Sequence, residues 1–162
     1  MNVLESFSLK GKVALVTGGA GLYGRQIVEA LAEAGAETYI ASRNLESLQQ
    51  VAKEEVERGH NVTAMKLDLS EDDSIENLHR DIIEKSGKCE ILINNAVSRE
   101  FGSAGWKNTL DDFDKSLRIN ASALFKITQL FSEDMKKNNS GSIINIGSMM
   151  GTVGVENGNY EG

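Results

Sequence analysis

The chain has 162 residues, 40% of them hydrophobic and 25% charged. That is one domain's worth of length with enough apolar material for a core, so a fully disordered chain is excluded. A net charge of −7 lacks the basic footprint of sequence-independent nucleic-acid binding, no apolar run is long enough to span a membrane, and the single cysteine, Cys89, excludes an internal disulfide and a cysteine-rich metal site.

The opening residues, MNVLESFSLKGK, lack the apolar centre of a secretory signal. With only one thiol, this fits a reducing, cytoplasmic setting. From there the chain alternates. Lys12–Val16 (KVALV) reads as a short β-branched strand. Tyr23–Ala34 follows as a helix with Ile27, Val28, Leu31 and Ala34 at helical spacing, stopped by Gly35. Glu37–Ala41 is the second strand. Asn44 caps a helix that presents Leu45, Leu48, Val51, Ala52 and Val56 to the core and ends at Gly59. Asn61–Leu67 is the third strand. Ser70 with Asp73 resembles a capping box for a helix faced by Ile75, Leu78 and Ile82 and closed by Gly87. Glu90–Asn94 is the fourth strand, and Cys89 beside it reads as a packed residue. A loop over Ala96–Asn108 leads to one long helix, Leu110–Lys137. Ser142–Ile146 is the fifth strand.

Strands alternating with helices at this spacing predict βαβ units and a doubly wound, parallel α/β sheet of Rossmann type, with helices on both faces. The strands are apolar runs without strict alternation, as a sheet covered on both sides requires. The whole chain is expected to form a single domain; the pattern gives a fold class and not yet a function.

The first strand runs directly into Thr17-Gly18-Gly19-Ala20-Gly21-Leu22-Tyr23-Gly24, where a helix begins. Glycine lets the backbone turn sharply and approach a ligand closely. The amides of a helix start, with its dipole, favour an anion such as pyrophosphate. A tight strand–helix turn without a ligand would use the same residues. The strand–loop–helix context favours a nucleotide.

With these residues the chain resembles the short-chain dehydrogenase/reductase family from Lys10 to Gly151. Compact members carry T-G-x-x-x-G-x-G. Here Leu22 stands at the second glycine and Gly21 one place earlier, a spacing closer to the sugar-nucleotide-modifying branch. The later motifs resemble the compact branch. The resemblance implies a nicotinamide cofactor, contacted by Gly18, Gly21, Leu22, Tyr23 and Gly24. It also implies a small-molecule carbonyl or alcohol substrate, about seven strands, and a homo-oligomer for the full-length protein. With five strands in hand, the chain is expected to be the N-terminal two-thirds of a dehydrogenase, and an inactive one by itself.

The second strand ends Ser42-Arg43-Asn44, with no carboxylate before Glu46. An acidic residue there reads the ribose 2′-hydroxyl of NAD, whereas arginine accepts the 2′-phosphate of NADP. Ser42 and Arg43 therefore point to NADP, with NAD the alternative; a solvated arginine at a helix start is the plain structural reading. Asp68-Leu69, after the third strand, matches the family's adenine contact and also reads as a capping or loop aspartate. Asn94-Asn95-Ala96-Val97 resembles the family's N-N-A-G, with Val97 for the glycine. Asn95 and Ala96 would lie against the cofactor, and the amides would also tie strands together.

The family works with an Asn-Ser-Tyr-Lys set. Ser148, just past the fifth strand, matches the serine that hydrogen-bonds the carbonyl oxygen. Asn120, an unfavourable residue for a helix interior, matches the asparagine of a water relay. The Y-x-x-x-K motif is absent: Tyr160 is followed only by Glu161 and Gly162 and is left unassigned. The segment Ser98–Lys107, with Phe101 and Trp106, lines a substrate pocket or simply packs. Two further readings compete. One is a non-catalytic NAD(P)-binding module. The other is a methyltransferase, disfavoured because those place a carboxylate where Ala41-Ser42-Arg43 stand.

Overall fold

A computed structural model describes residues 2–3, 5–99 and 107–152, with Met150 described by its backbone alone. Five parallel strands form one sheet in the order β3-β2-β1-β4-β5: β1 Val13–Thr17, β2 Glu37–Ser42, β3 Val62–Lys66, β4 Ile91–Asn94 and β5 Ser142–Asn145. Helices α1 (Leu22–Glu33) and α2 (Leu45–Glu57) cover one face, packing Val28, Ala32, Leu48 and Val51 on Val16, Ile40 and Ile93. Helix α3 (Asp72–Ser86) and a later helix, α5 (Ala123–Lys137), cover the other, packing Ile75, Ile82, Ile127 and Phe131 on Leu15, Tyr39 and Leu92. The fold is the expected doubly wound α/β arrangement. The strand order switches direction between β1 and β4, with β2 and β3 added on one side and β4 and β5 on the other, which places a crevice at the carboxyl ends of these two strands.

The glycine stops hold. Gly35, Gly59 and Gly87 end their helices with φ of +96°, +91° and +72°, the left-handed conformation that only glycine adopts cheaply. Asn44 caps α2 by accepting the Ser47 amide at 3.1 Å.

Three expectations are corrected. The helix over 110–137 is not continuous. It consists of α4 (Leu110–Leu117), a π-helical turn (Arg118–Ser122) and α5. Helix propensity runs through the segment, but Asn120 is tied to the loop after β4, and an i→i+5 turn absorbs the mismatch. The Ser70–Asp73 capping box does not form. Ser70 turns back and donates both its amide and hydroxyl to Asp68, at 2.9 and 2.7 Å, and α3 starts without a side-chain cap. The box appears instead at α4, where Thr109 and Asp112 cap each other. Finally, Val56 is 54% exposed, whereas Glu55 is buried at 6%. Leu48, Val51, Ala52 and Glu55 hold the inward stripe, and the Glu55 carboxylate is satisfied there by His60 Nδ1 at 2.7 Å and Arg58 at 3.3 Å.

At the opposite edge β5 carries exposed Ile144, with exposed Ile146 beyond it. Among the described residues, no helix is long and apolar enough to cross a membrane.

Candidate functional site

The crevice is a cleft of about 1030 Å³ at the carboxyl ends of the strands. All eleven residues predicted to meet the cofactor line it: Gly18, Gly21, Leu22, Tyr23, Gly24, Ser42, Arg43, Asp68, Leu69, Asn95 and Ala96. Ser148 lines it from beyond β5. Asn120 does not, although its neighbour Ile119 does.

The glycine loop has steric reasons for its composition. Gly18 has φ +70°, and a Cβ on it would meet Ala96 Cα and Asn95 Nδ2 at 3.1 Å. A Cβ on Gly24 would lie 2.1 Å from the Gly18 carbonyl oxygen. The loop is folded flat onto the start of α1, held by Gly18 N–H to Ala41 O at 2.7 Å and Gly21 N–H to Gly18 O at 3.0 Å. Gly21, the N-cap, makes no side-chain bond, and the first turn of α1 holds no acidic residue. A helix start of this kind, without a capping carboxylate and lining a cleft, suits an anion. Leu22, where the family has glycine, is 90% exposed, so nothing in the described protein packs on it.

The end of β4 is stitched to this loop. Thr17 Oγ1 accepts the amides of Asn95 and Ala96 at 3.1 and 3.0 Å. Asn95 Nδ2 donates to the carbonyls of Thr17 and Gly18, both at 3.1 Å. Asn94, buried, points the other way and donates to Thr128 Oγ1 at 3.1 Å and Asn145 Oδ1 at 2.9 Å. The tandem amides thus join β1, β4, β5 and α5 at the floor of the cleft. The scaffold role read from the sequence is real, and Asn95 combines it with a place in the cleft wall.

At the β2–β3 end, Asp68 is held ionised. The Ser70 hydroxyl and then its amide donate to the carboxylate, and the nearby charges of Arg43 and Lys66 add to this, so its pKa is lowered against a modest opposing burial. This end of the cleft therefore offers one fixed anion and one guanidinium.

Asn120 does not line the cleft but holds Ser98, which does. Its Oδ1 accepts the Ser98 amide at 2.8 Å, and its Nδ2 donates to the Ser98 carbonyl at 2.9 Å and to Ser116 Oγ at 3.1 Å. The side chain clamps both backbone groups of one residue in the loop after β4. It is a positioning residue here. Cys89 is inert: burial pushes its thiol up to about 12, and it donates to Ile91 O at 3.5 Å. Both histidines pair elsewhere, His60 with Glu55 and His79 with Asp134.

Val97, Arg99, Ile146 and Met149 also line the cleft, and no motif had marked Arg99. The one signal available was its place in the loop between β4 and α4, within the Ser98–Lys107 segment already read as a pocket lining or a packed loop. Phe101, Trp106 and Tyr160 lie outside the described residues.

Comparison with known proteins agrees with this architecture. The family model for short chain dehydrogenases matches residues 12–160. The chain belongs to the short-chain dehydrogenase family. A short chain dehydrogenase/reductase, dpchG, of Colletotrichum higginsianum is 35% identical over 153 residues, 93% of this chain and 57% of that protein. A metagenomic short-chain oxidoreductase solved in complex with NADP superposes with a TM-score of 0.85 at 31% identity, over 91% of this chain and 66% of the other. An NAD⁺-bound xylitol dehydrogenase gives a TM-score of 0.85 at 29% identity, over 92% and 57%. The chain thus spans a little under three-fifths of the curated relative it matches.

Proposed function

We propose that this chain forms the cofactor-binding and carbonyl-orienting part of an NADP-dependent oxidoreductase that interconverts carbonyl and alcohol groups on a small molecule. The supporting observation is convergence. Residues far apart in sequence, each marked by its own local motif, meet in one cleft with Ser148 at its β5 end and Arg43 at its β2 end.

The residues present suit a dinucleotide. Gly18 and Gly24 leave a cradle that a side chain would fill, and α1 begins there without a carboxylate. Ser42 and Arg43 take the 2′-phosphate, and the missing carboxylate at the end of β2 argues against the 2′-hydroxyl reading. Asp68 and Leu69 flank the adenine. A bound nicotinamide supplies or accepts the hydride. Ser148 donates to the carbonyl oxygen and orients it, and Asn120 holds the Ser98 backbone in place for that alignment. Proton transfer falls to the Tyr-x-x-x-Lys pair that the family resemblance implies. Exposed Leu110, Phe113, Leu117 and Phe125 on α4 and α5 support a homo-oligomer, and the buried thiol fits the cytoplasm.

The test is cofactor selectivity. A charge-assisted hydrogen bond is worth about 1.5–3 kcal/mol, so Arg43→Ala should weaken NADP(H) by roughly 10- to 150-fold and leave NAD(H) nearly unchanged. Fluorescence titration of both cofactors measures this. Equal weakening of both would remove Arg43 from the 2′-position.

A further inference from the structure

The sequence holds six arginines. Four make ion pairs on the surface: Arg25 with Glu54, Arg58 with Glu29, Arg80 with Asp81 and Arg118 with Asp72. Arg43 has a partner of its own and sits within electrostatic reach of Asp68. Arg99 differs. Among the described residues it has no hydrogen-bond or ion-pair partner, and it lines the cleft. In a chain of net charge −7, a cation left unmatched at a cleft wall is an attractive place for a ligand anion.

Its position tells which ligand. Arg43 follows β2 and Arg99 follows β4, and the strand order puts β1 between them. They stand over strands two apart, on the order of 10 Å. Arg99 is thus on the half of the cleft next to β5, where Ser148 lies, and away from the half with Arg43 and Asp68. The backbone that presents it is fixed. Asn120 holds both the amide and the carbonyl of Ser98, the residue immediately before it. An anchored backbone lowers the ordering cost of binding through the side chain that follows. Beside Ser98 and Ser148, this half has an apolar wall: Val97, Ile146 and Met149 are all exposed to the cleft.

We propose that Arg99 binds a carboxylate on the substrate, so that the substrate class is a carbonyl compound bearing a carboxylic acid, with its apolar part against Val97, Ile146 and Met149. The guanidinium fork matches a carboxylate with two parallel hydrogen bonds. One cation among apolar side chains suits a single negative charge better than a phosphate monoester, which carries about −1.5 to −2. The inference rests on the proposed oxidoreductase reading, since it takes the Ser148 half of the cleft as the substrate half.

The experiment measures binding without turnover. The whole protein is saturated with NADP⁺, and benzoylformate, levulinate and their methyl esters are titrated by calorimetry. The two acids differ in the spacing between ketone and carboxylate. At least one acid should bind roughly 10- to 100-fold more tightly than its ester. Arg99→Gln should abolish that preference, and Arg99→Lys should keep part of it. NADP⁺ affinity and the thermal midpoint should not change in Arg99→Gln, because the side chain is exposed and unpaired among the described residues. Esters binding as well as both acids, failure of both acids to bind, or an acid preference that survives Arg99→Gln would each overturn the proposal. So would a loss of NADP⁺ affinity in Arg99→Gln, which would make Arg99 a cofactor residue. If NADP⁺ does not bind the wild type, but an acid does so through Arg99, the oxidoreductase reading fails and the carboxylate site stands.

Discussion

Replacing Gly24 with alanine tests whether the loop is built around close backbone approach. The first effect is favourable: alanine in a helix is about 1 kcal/mol better than glycine. Against it, the new Cβ would sit 2.1 Å from the Gly18 carbonyl oxygen and 3.0 Å from the carbonyl carbons of Gly18 and Gly19. These neighbours are backbone and cannot rotate aside. Ordinary contact begins at 3.4 Å, so the loop must retreat by more than 1 Å. That retreat pulls on the Gly18–Ala41 and Gly21–Gly18 hydrogen bonds, at 2.7 and 3.0 Å. Losing them costs about 1 kcal/mol each, and overpacking adds about 1–3 kcal/mol. The net expectation is a destabilisation of about 2–4 kcal/mol, with a weakened cofactor site. Gly21→Ala is the control. Its Cβ would be 3.3 Å from Gly18 O, at an N-cap φ of −73° that alanine adopts freely. Only the weak N-cap preference is lost, below about 1 kcal/mol. Urea unfolding of the whole protein followed by circular dichroism, with NADPH titration of the folded variants, measures both effects. Equal midpoints for the two variants, or unchanged NADPH affinity in Gly24→Ala, would refute the argument.

Two other outcomes follow from the geometry. Glu90, buried at the foot of the sheet, would be raised by burial alone, but hydrogen bonds from Lys12 and Lys88 hold it at about 2 against an ordinary 4.5. Its folded pKa is depressed, so its stabilisation is complete above pH 4.5 and is lost as pH falls toward 2; Glu90→Gln should cost about 1–3 kcal/mol at neutral pH and flatten the acid limb of a stability–pH curve. Asn120→Ala should release the Ser98 backbone, seen as faster hydrogen exchange at Ser98, and, on the proposed oxidoreductase reading, lower kcat/KM of the full-length protein by roughly 10-fold or more with little change in NADPH affinity; unchanged exchange at Ser98 would show that the clamp does not hold the loop.

Much of this molecule was legible because the signals are local. A β-branched run such as VALVT, a glycine at a helix end, or Asn44 before Leu45 acts through its immediate neighbours, and each behaves as its chemistry dictates. The glycine loop was legible for the same reason: turn, close approach and helix start occupy eight consecutive residues. Other features depend on which of several partners a side chain takes, a choice that periodicity and cap patterns do not show even when the partner is near in sequence. Ser70 had two possible partners, and Asp68 won because the turn after β3 brings its carboxylate within 2.7 Å of the Ser70 hydroxyl. Glu55 faces inward in place of Val56, with its carboxylate hydrogen-bonded to Arg58 and His60 there. At the π-helical turn, propensity marks only Asn120 as unfavourable in a helix interior; the partner that holds it, Ser98, is 22 residues away and is set by the tertiary structure. Arg99 illustrates the same division. An arginine in a loop is unremarkable as sequence, and only the strand order, which sets β4 beside β5, places it in the Ser148 half of the cleft, with no partner of its own among the described residues. Local chemistry decided where each strand and helix lies; the long-range pairing of strands and side chains decided which groups face one another.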